Sequence, residues 1–252
     1  MPHPVPLIGR LAALEALTPE HASDLFAAVA GNDRSYQYTL VPRDEPTMLA
    51  YITAALAEQK AGRAVVWSIR SLTQNRLVGM ARFQDLDYWP APVSWPPGIA
   101  APAEQRSTPA TAEYGIWLAR SAQLTGTATE TALLMTGHAF DTWNAHRITT
   151  RTDARNIGVI RAMDRMKIHC EGIRRAHGRA MDGQVQNSIF YSTLRSEWPA
   201  LRIRMLDHLS HWMMQHAEPN REGSGTDTKM SPSPVRRRTS FGHAPSSHPG
   251  DH

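Results

Sequence analysis

Residues 123–130 read QLTGTATE, and the spacing Gln123-x-x-Gly126-x-Ala128 is one that could bind a phosphate. Small residues at 126 and 128 let a ligand approach the main chain. If a helix begins here, its first N–H groups have no partner inside the helix. Together with the helix dipole they can hold a pyrophosphate. The same stretch has a purely structural reading, because Thr127 and Glu130 match the capping box T-x-x-E. The two readings are compatible: a cap can start the helix while Gly126 and Ala128 keep its N–H groups accessible. Other reactive side chains are less suggestive. His208 and His211 lie three apart on a predicted helix with no third ligand nearby, which reads as a surface face rather than a zinc site. The single cysteine, Cys170, excludes an intramolecular disulfide and is expected to pack as a small hydrophobe.

A strand must lead into that turn and a helix must leave it. TAEYGIWLA (111–119) supplies the strand, and an apolar run from about Ala128 to Trp143 supplies the helix. Upstream, LAALEAL (11–17) reads as a strand. Thr18-Pro19-Glu20 starts a helix that ends at Gly31-Asn32. A second helix starts at Glu45-Pro46, and Gly62 suits its C-terminal turn. AVVWSIR (64–70) and RLVGMARF (76–83) form a predicted hairpin around Gln74-Asn75. Downstream, HRITTRT (146–152) is a strand and 154–166 a helix expected to be capped by Asp153. Residues 170–178 and 186–194 are strands joined around Asp182-Gly183, and 196–215 closes the domain as a helix. The order β-α-α-β-β-β-α-β-α-β-β-α predicts a mixed α/β sheet with helices packed on it.

Two stretches fall outside this pattern. Residues 85–109 hold six prolines, which forbid regular structure, yet also Tyr88, Trp89 and Trp95. The stretch reads either as a flap over a site or as a surface insertion packed on its own aromatics. From about Glu218 onward the chain is rich in Ser, Pro, Gly and His and is expected to be disordered, leaving a domain over 1–217. At 252 residues, 41% hydrophobic and 20% charged, the composition is globular, with no run near the roughly 20 apolar residues of a membrane span. The N-terminus lacks a secretory h-region, so a cytoplasmic protein with no membrane partner is expected. A formal charge of +4, partly from Arg236, Arg237 and Arg238, lacks the dense basic face of a nucleic-acid binder.

About twenty residues beyond the turn the chain reads RITTRTDARN, then Glu171-Gly172 with Arg174 or Arg175, Asp182-Gly183, Tyr191 and Glu197-Trp198. In this order, over roughly residues 7–200, the motifs resemble the GNAT superfamily of acetyl-CoA-dependent N-acetyltransferases, in particular the ribosomal-protein-alanine N-acetyltransferase branch. The resemblance implies a strongly twisted mixed sheet whose central strands, 111–119 and 146–152, splay apart around acetyl-CoA as co-substrate. It implies that backbone groups of Ile116, Trp117 and Leu118 bind pantetheine. Gln123, Leu124, Thr125, Gly126, Thr127 and Ala128 would form the pyrophosphate turn, and Asn156 would hydrogen-bond the pantetheine arm. The acceptor would be a primary amine, on a protein N-terminus or a small molecule, and a homodimer is compatible with the pattern.

Direct transfer needs no enzyme nucleophile, in keeping with the lack of a Cys–His signature. Glu113, on the strand beside the cofactor, is the candidate base, since burial would raise its pKa. The N–H of Trp117 or Ile116 would polarise the thioester carbonyl. The proton donor to the leaving thiolate is where this sequence departs from the family. Val159 and Met163 stand where relatives carry Ser or Tyr, and Lys167 where they carry Gly. Tyr191 or water could substitute. The same departures keep open a non-catalytic acyl-CoA-binding or regulatory protein on this fold.

Overall fold

The computed structural model describes residues 2–31, 36–89, 107–180 and 182–216. The strand expected at 11–17 forms as β2 (Ala12–Ala16), preceded by a two-residue strand β1 (Leu7–Ile8) that the sequence did not announce. After a single 3-10 turn at Pro19–His21 comes α1 (Ala22–Val29), then α2 (Glu45–Lys60). Asp44 caps α2 by accepting the Thr47 N–H. Gly62, at φ 73°, takes the left-handed turn that releases the chain into β3 (Val65–Ser71). β3 pairs with β4 (Arg76–Asp87) through a turn in which Asn75 has φ 47°.

β5 (Thr111–Leu118) leads to α3 (Thr127–Gly137), which widens into a π-helical turn at His138–Thr142. β6 (Arg147–Asp153), α4 (Ile157–Arg165), β7 (His169–Arg179), β8 (Val185–Leu194) and α5 (Trp198–His216) complete the described chain. The strands make one sheet in the order β1-β2-β3-β4-β5-β6-β8-β7, antiparallel except for the β5–β6 pair. The expected turn at Asp182-Gly183 joins β7 to β8, with Gly183 at φ 78°.

Alternation along each central strand sends successive side chains to opposite faces. On one face Trp67, Phe83, Phe140, Trp143, Trp198 and Met205 pack among α3, α5 and the end of α4. On the other, Leu25, Met48, Ile52, Val66, Met80 and Trp117 pack beneath α1 and α2. A register shift in β3–β4 at Ile69/Arg70 puts Leu77 on the α1–α2 side and its neighbour Val78 on the other.

Four local expectations are corrected. Helix α4 starts at Ile157 with Asn156 as its cap, because the Asp153 carboxylate is taken by Arg155 instead. The Thr127–Glu130 capping box does not form: Gly126 is the N-cap, and Glu130 turns away to other partners. Cys170 is exposed on the edge strand rather than packed. The strand β4 runs on to Asp87, so the irregular stretch begins later than residue 85. Of that stretch, residues 90–106 lie outside the described residues, as does the segment from Glu218 on. Its described end is anchored, with Trp89 stacked on His146 at 5.1 Å between ring centres.

Candidate active site

β5 and β6 run parallel and pair only at Thr111–Arg147, Ala112–Ile148 and Glu113–Thr149. Beyond that level β5 stays paired to β4 and β6 to β8, so the two strands diverge. The ladder parity identifies which groups the divergence exposes. The Ala119 N–H donates to the Val78 carbonyl and the His146 N–H to that of Ala110. In an alternating ladder this turns the main chain of Glu113, Gly115 and Trp117 toward β4, and that of Tyr114, Ile116 and Leu118 toward the opened edge. Of the two amides expected to face a thioester, Ile116 therefore points into the wedge, and Trp117 points at Met80 of β4.

The wedge runs out into the 123–128 turn. The Gln123 side chain donates back to the Leu118 carbonyl at 3.1 Å, which also accepts the Tyr36 hydroxyl at 3.2 Å. Leu124 adopts φ 61° and is 95% exposed, and Gly126 follows at φ 79°. No side chain caps α3, so its first-turn N–H groups keep their donors free of side-chain acceptors. The Thr127 hydroxyl is occupied with that of Thr125, at 2.7 Å. Ala128 is exposed at the helix start. This is a backbone cradle suited to a phosphate: donors at a helix N-terminus, a left-handed glycine and no carboxylate in the turn. The back of the cradle is closed by Trp212 of α5, whose indole donates to the Leu124 carbonyl at 3.1 Å. A Cβ on Gly126 would come within 2.7 Å of Leu11 and 3.4 Å of Trp212, so the glycine is required by packing as well as by its φ.

Glu113 is 5% exposed. Its carboxylate accepts the Gln84 amide at 2.6 Å and faces Arg151 at 3.2 Å. Desolvation pushes its pKa above the usual carboxylate range, against the pull of Arg151 and the Gln84 hydrogen bond. Such a carboxylate takes up a proton more readily than an exposed one and can also release it. Tyr191 is 1% exposed, and its hydroxyl has no partner among the described residues. Burial and the nearby Asp164 raise its pKa. Tyr191 lies opposite Thr150, and the adjacent Arg151 reaches Glu113, so the two candidate proton carriers occupy opposite faces of the sheet. The structure does not bring them together.

Asn156 uses both ends of its amide internally, donating to the Thr152 hydroxyl at 3.1 Å and accepting the Val159 N–H at 3.3 Å. On α4, Val159 and Met163 are half-buried and carry no transferable proton. The sequence signatures around them are largely frame. Arg147 binds Glu171 bidentately, and Glu171 also accepts from Ser192, which holds its pKa down. Arg155 ties Asp153 to Asp182, and the Trp198 indole donates to Asp141 at 3.0 Å.

Sequence reading missed Gln84, Arg151, Arg82 and Trp212. Arg82 and Gln84 alternate on an otherwise apolar strand, RLVGMARFQ, and that alternation is the signal that could have placed them on one face beside Glu113.

A family model described as the acetyltransferase (GNAT) domain matches residues 12–169. No curated protein matches the sequence. Among solved structures, a GCN5-related N-acetyltransferase from Brucella melitensis superposes with a TM-score of 0.65 at 22% identity, covering 81% of this chain and 85% of that one. RimL, a ribosomal L7/L12 alpha-N-protein acetyltransferase in complex with coenzyme A, gives 0.59 at 15% identity, covering 75% and 98%. The microcin C7 self-immunity acetyltransferase MccE, in complex with acetyl-CoA and AMP, gives 0.58 at 14%, covering 74% and 93%. At these identities the likeness is one of fold.

Proposed function

The chain belongs to the GNAT acetyltransferase family, whose members acetylate with acetyl-CoA, and we propose that this one transfers the acetyl group directly to a primary amine. The observation that carries the proposal is the end of β5–β6 pairing at Glu113–Thr149, which opens main-chain donors beside a buried carboxylate and above an uncapped helix start. In this reading, the turn from Gln123 to Ala128 holds the pyrophosphate. The main chain of Ile116 to Leu118 guides the pantetheine arm. The Ile116 N–H faces the carbonyl oxygen as charge gathers on it. Asn156 would reach the arm once its bond to Thr152 opens.

The reaction forms a C–N bond and breaks the C–S bond. The acceptor enters as an ammonium, so one proton leaves before attack, to Glu113 directly or through water; a second leaves nitrogen as the tetrahedral intermediate collapses, matching the proton taken up by the thiolate. The leaving thiolate needs a proton on the other side of the wedge. Val159 and Met163 offer none, which leaves Tyr191 or water. The acceptor is a small-molecule amine or a protein N-terminus; RimL, of the same fold, is described as acting on the latter.

Titration calorimetry tests the cofactor side. Ala128 is exposed, so Ala128→Glu should fold normally and put a carboxylate where the pyrophosphate sits. Acetyl-CoA affinity should fall at least about tenfold, in the range of one misplaced charge contact. An unchanged affinity would sink the cradle. CoA release over amino acids, polyamines, aminoglycosides and N-terminal peptides tests the reaction; binding with no release from any amine would leave an acyl-CoA-binding protein.

A further inference from the structure

Glu113, Gly115 and Trp117 lie on the α1–α2 face of β5, level with Gln84, Arg82 and Met80 of β4. Gly115 has no side chain, so a notch one residue wide opens between a carboxylate and an indole, just where the wedge begins. The atoms nearest a Cβ built there are Cγ and Nε of Arg82, both at 3.9 Å. Arg82 and Gln84 also line a cleft of about 350 Å3 bounded by the end of α2, with Glu58, Arg63 and Asp85 on its rim.

The charges around this notch are paired with one exception. Arg63 binds Glu58 bidentately, Arg151 sits 3.2 Å from Glu113 and 3.7 Å from Asp85, and Gln84 donates to Glu113. Arg82 is half-buried and makes no hydrogen bond or ion pair with any described residue, although its charge is felt at both Glu113 and Glu58. Its guanidinium has five donors and no acceptor among the described residues, and it is open enough for an anionic ligand to reach. Trp117 adds a second unmet donor, for its indole N–H is buried without a partner among the described residues.

We propose that the acceptor amine carries a carboxylate or phosphate within a few bonds of its nitrogen, and that Arg82 holds this anion while the nitrogen faces Glu113 across the Gly115 notch. This rests on the reading of the chain as an amine acetyltransferase. The fork of Arg82 suits either anion, since both offer two oxygens in one plane. An acceptor with two positive charges gains nothing at Arg82 and is repelled by it.

The experiment measures CoA release by the full chain on matched pairs: tyrosine against tyramine, and O-phosphoethanolamine against ethanolamine. The anionic member of at least one pair should show kcat/KM higher by about tenfold or more, mostly through KM; the pair that responds tells carboxylate from phosphate. Arg82→Gln should abolish that preference without changing the KM for acetyl-CoA, and Arg82→Lys should keep part of it. Equal or better turnover of the partners that lack the anion, or a preference that survives Arg82→Gln, overturns the inference and leaves amine acetylation standing. Release from no amine of either kind overturns both.

Discussion

Glu113 and Glu130 are each 5% exposed, yet their surroundings give them different work. Glu130, on α3, accepts the main-chain N–H groups of Arg10, Leu11 and Ala12 at 2.9, 2.6 and 2.7 Å. Both its oxygens are committed, and it pins the β1–β2 corner to the helix. Gly9 is there because a Cβ would lie 2.3 Å from the Glu130 carboxyl carbon. Glu113 has one amide and one arginine, and desolvation outweighs them. Burial alone therefore does not mark a proton carrier. What separates a fastener from a base is how many donors stabilise the charged form.

The sharpest break between the two is Glu113→Gln. If Glu113 is the base, kcat/KM should fall by about 10² to 10⁴-fold. Stability should not fall with it. A carboxyl whose folded pKa is raised adds stability below its unfolded pKa and loses that contribution as pH climbs through the folded value. At neutral pH the ionised Glu113 is thus neutral or costly to the fold through this effect, and Gln mimics its uncharged form. The wild-type rate should fall as pH drops through the raised Glu113 pKa, and that acid limb should vanish in the variant. A folded variant that keeps wild-type turnover removes Glu113 from the chemistry.

Glu130→Ala should do the reverse. It leaves two buried N–H donors, of Leu11 and Ala12, and the part-buried one of Arg10 without an acceptor, and costs about 3 kcal/mol, read as a lower midpoint in chemical denaturation. The acetyl-CoA-saturated rate of the folded fraction should change little. A large rate loss at unchanged stability would mean that Glu130 acts in the reaction after all.

The same contrast explains what the sequence could show. The glycine turn and helix start of QLTGTATE were readable because they belong to the main chain: a left-handed glycine and a helix start leave local traces. Element order was readable for a similar reason, since Gly62, Asn75 and Gly183 mark the turns where they occur. Glu130 was misread as a cap because its true partners lie about 120 residues away, beyond any local pattern. Asp153 was misread as the α4 cap because Arg155 claims its carboxylate and itself reaches across to Asp182. Arg147, Glu171 and Trp198 carried the family resemblance, yet they fasten strands and helices and do not line the wedge. The residues that would choose the acceptor, Arg82 and Gln84, belong to no motif; only pairing β4 to β5 brings them to Glu113.

Tyr191 carries the smallest effect and the finest distinction. Its hydroxyl is buried and unpartnered among the described residues, so the polar group costs the fold something and returns nothing visible. Tyr191→Phe should leave the denaturation midpoint unchanged or slightly higher. If the hydroxyl protonates the leaving thiolate, kcat should still fall, by about tenfold or more, with the KM for acetyl-CoA unchanged. A thioester with a more acidic thiol needs less help from an acid, so a p-nitrothiophenyl acetyl donor should narrow the gap between variant and wild type. Loss of rate with both donors alike would instead place Tyr191 among the groups that only shape the wedge. Full activity of Tyr191→Phe would assign the proton to water, and would leave the α4 face of the site, like the turn beside it, a region that works through its main chain alone.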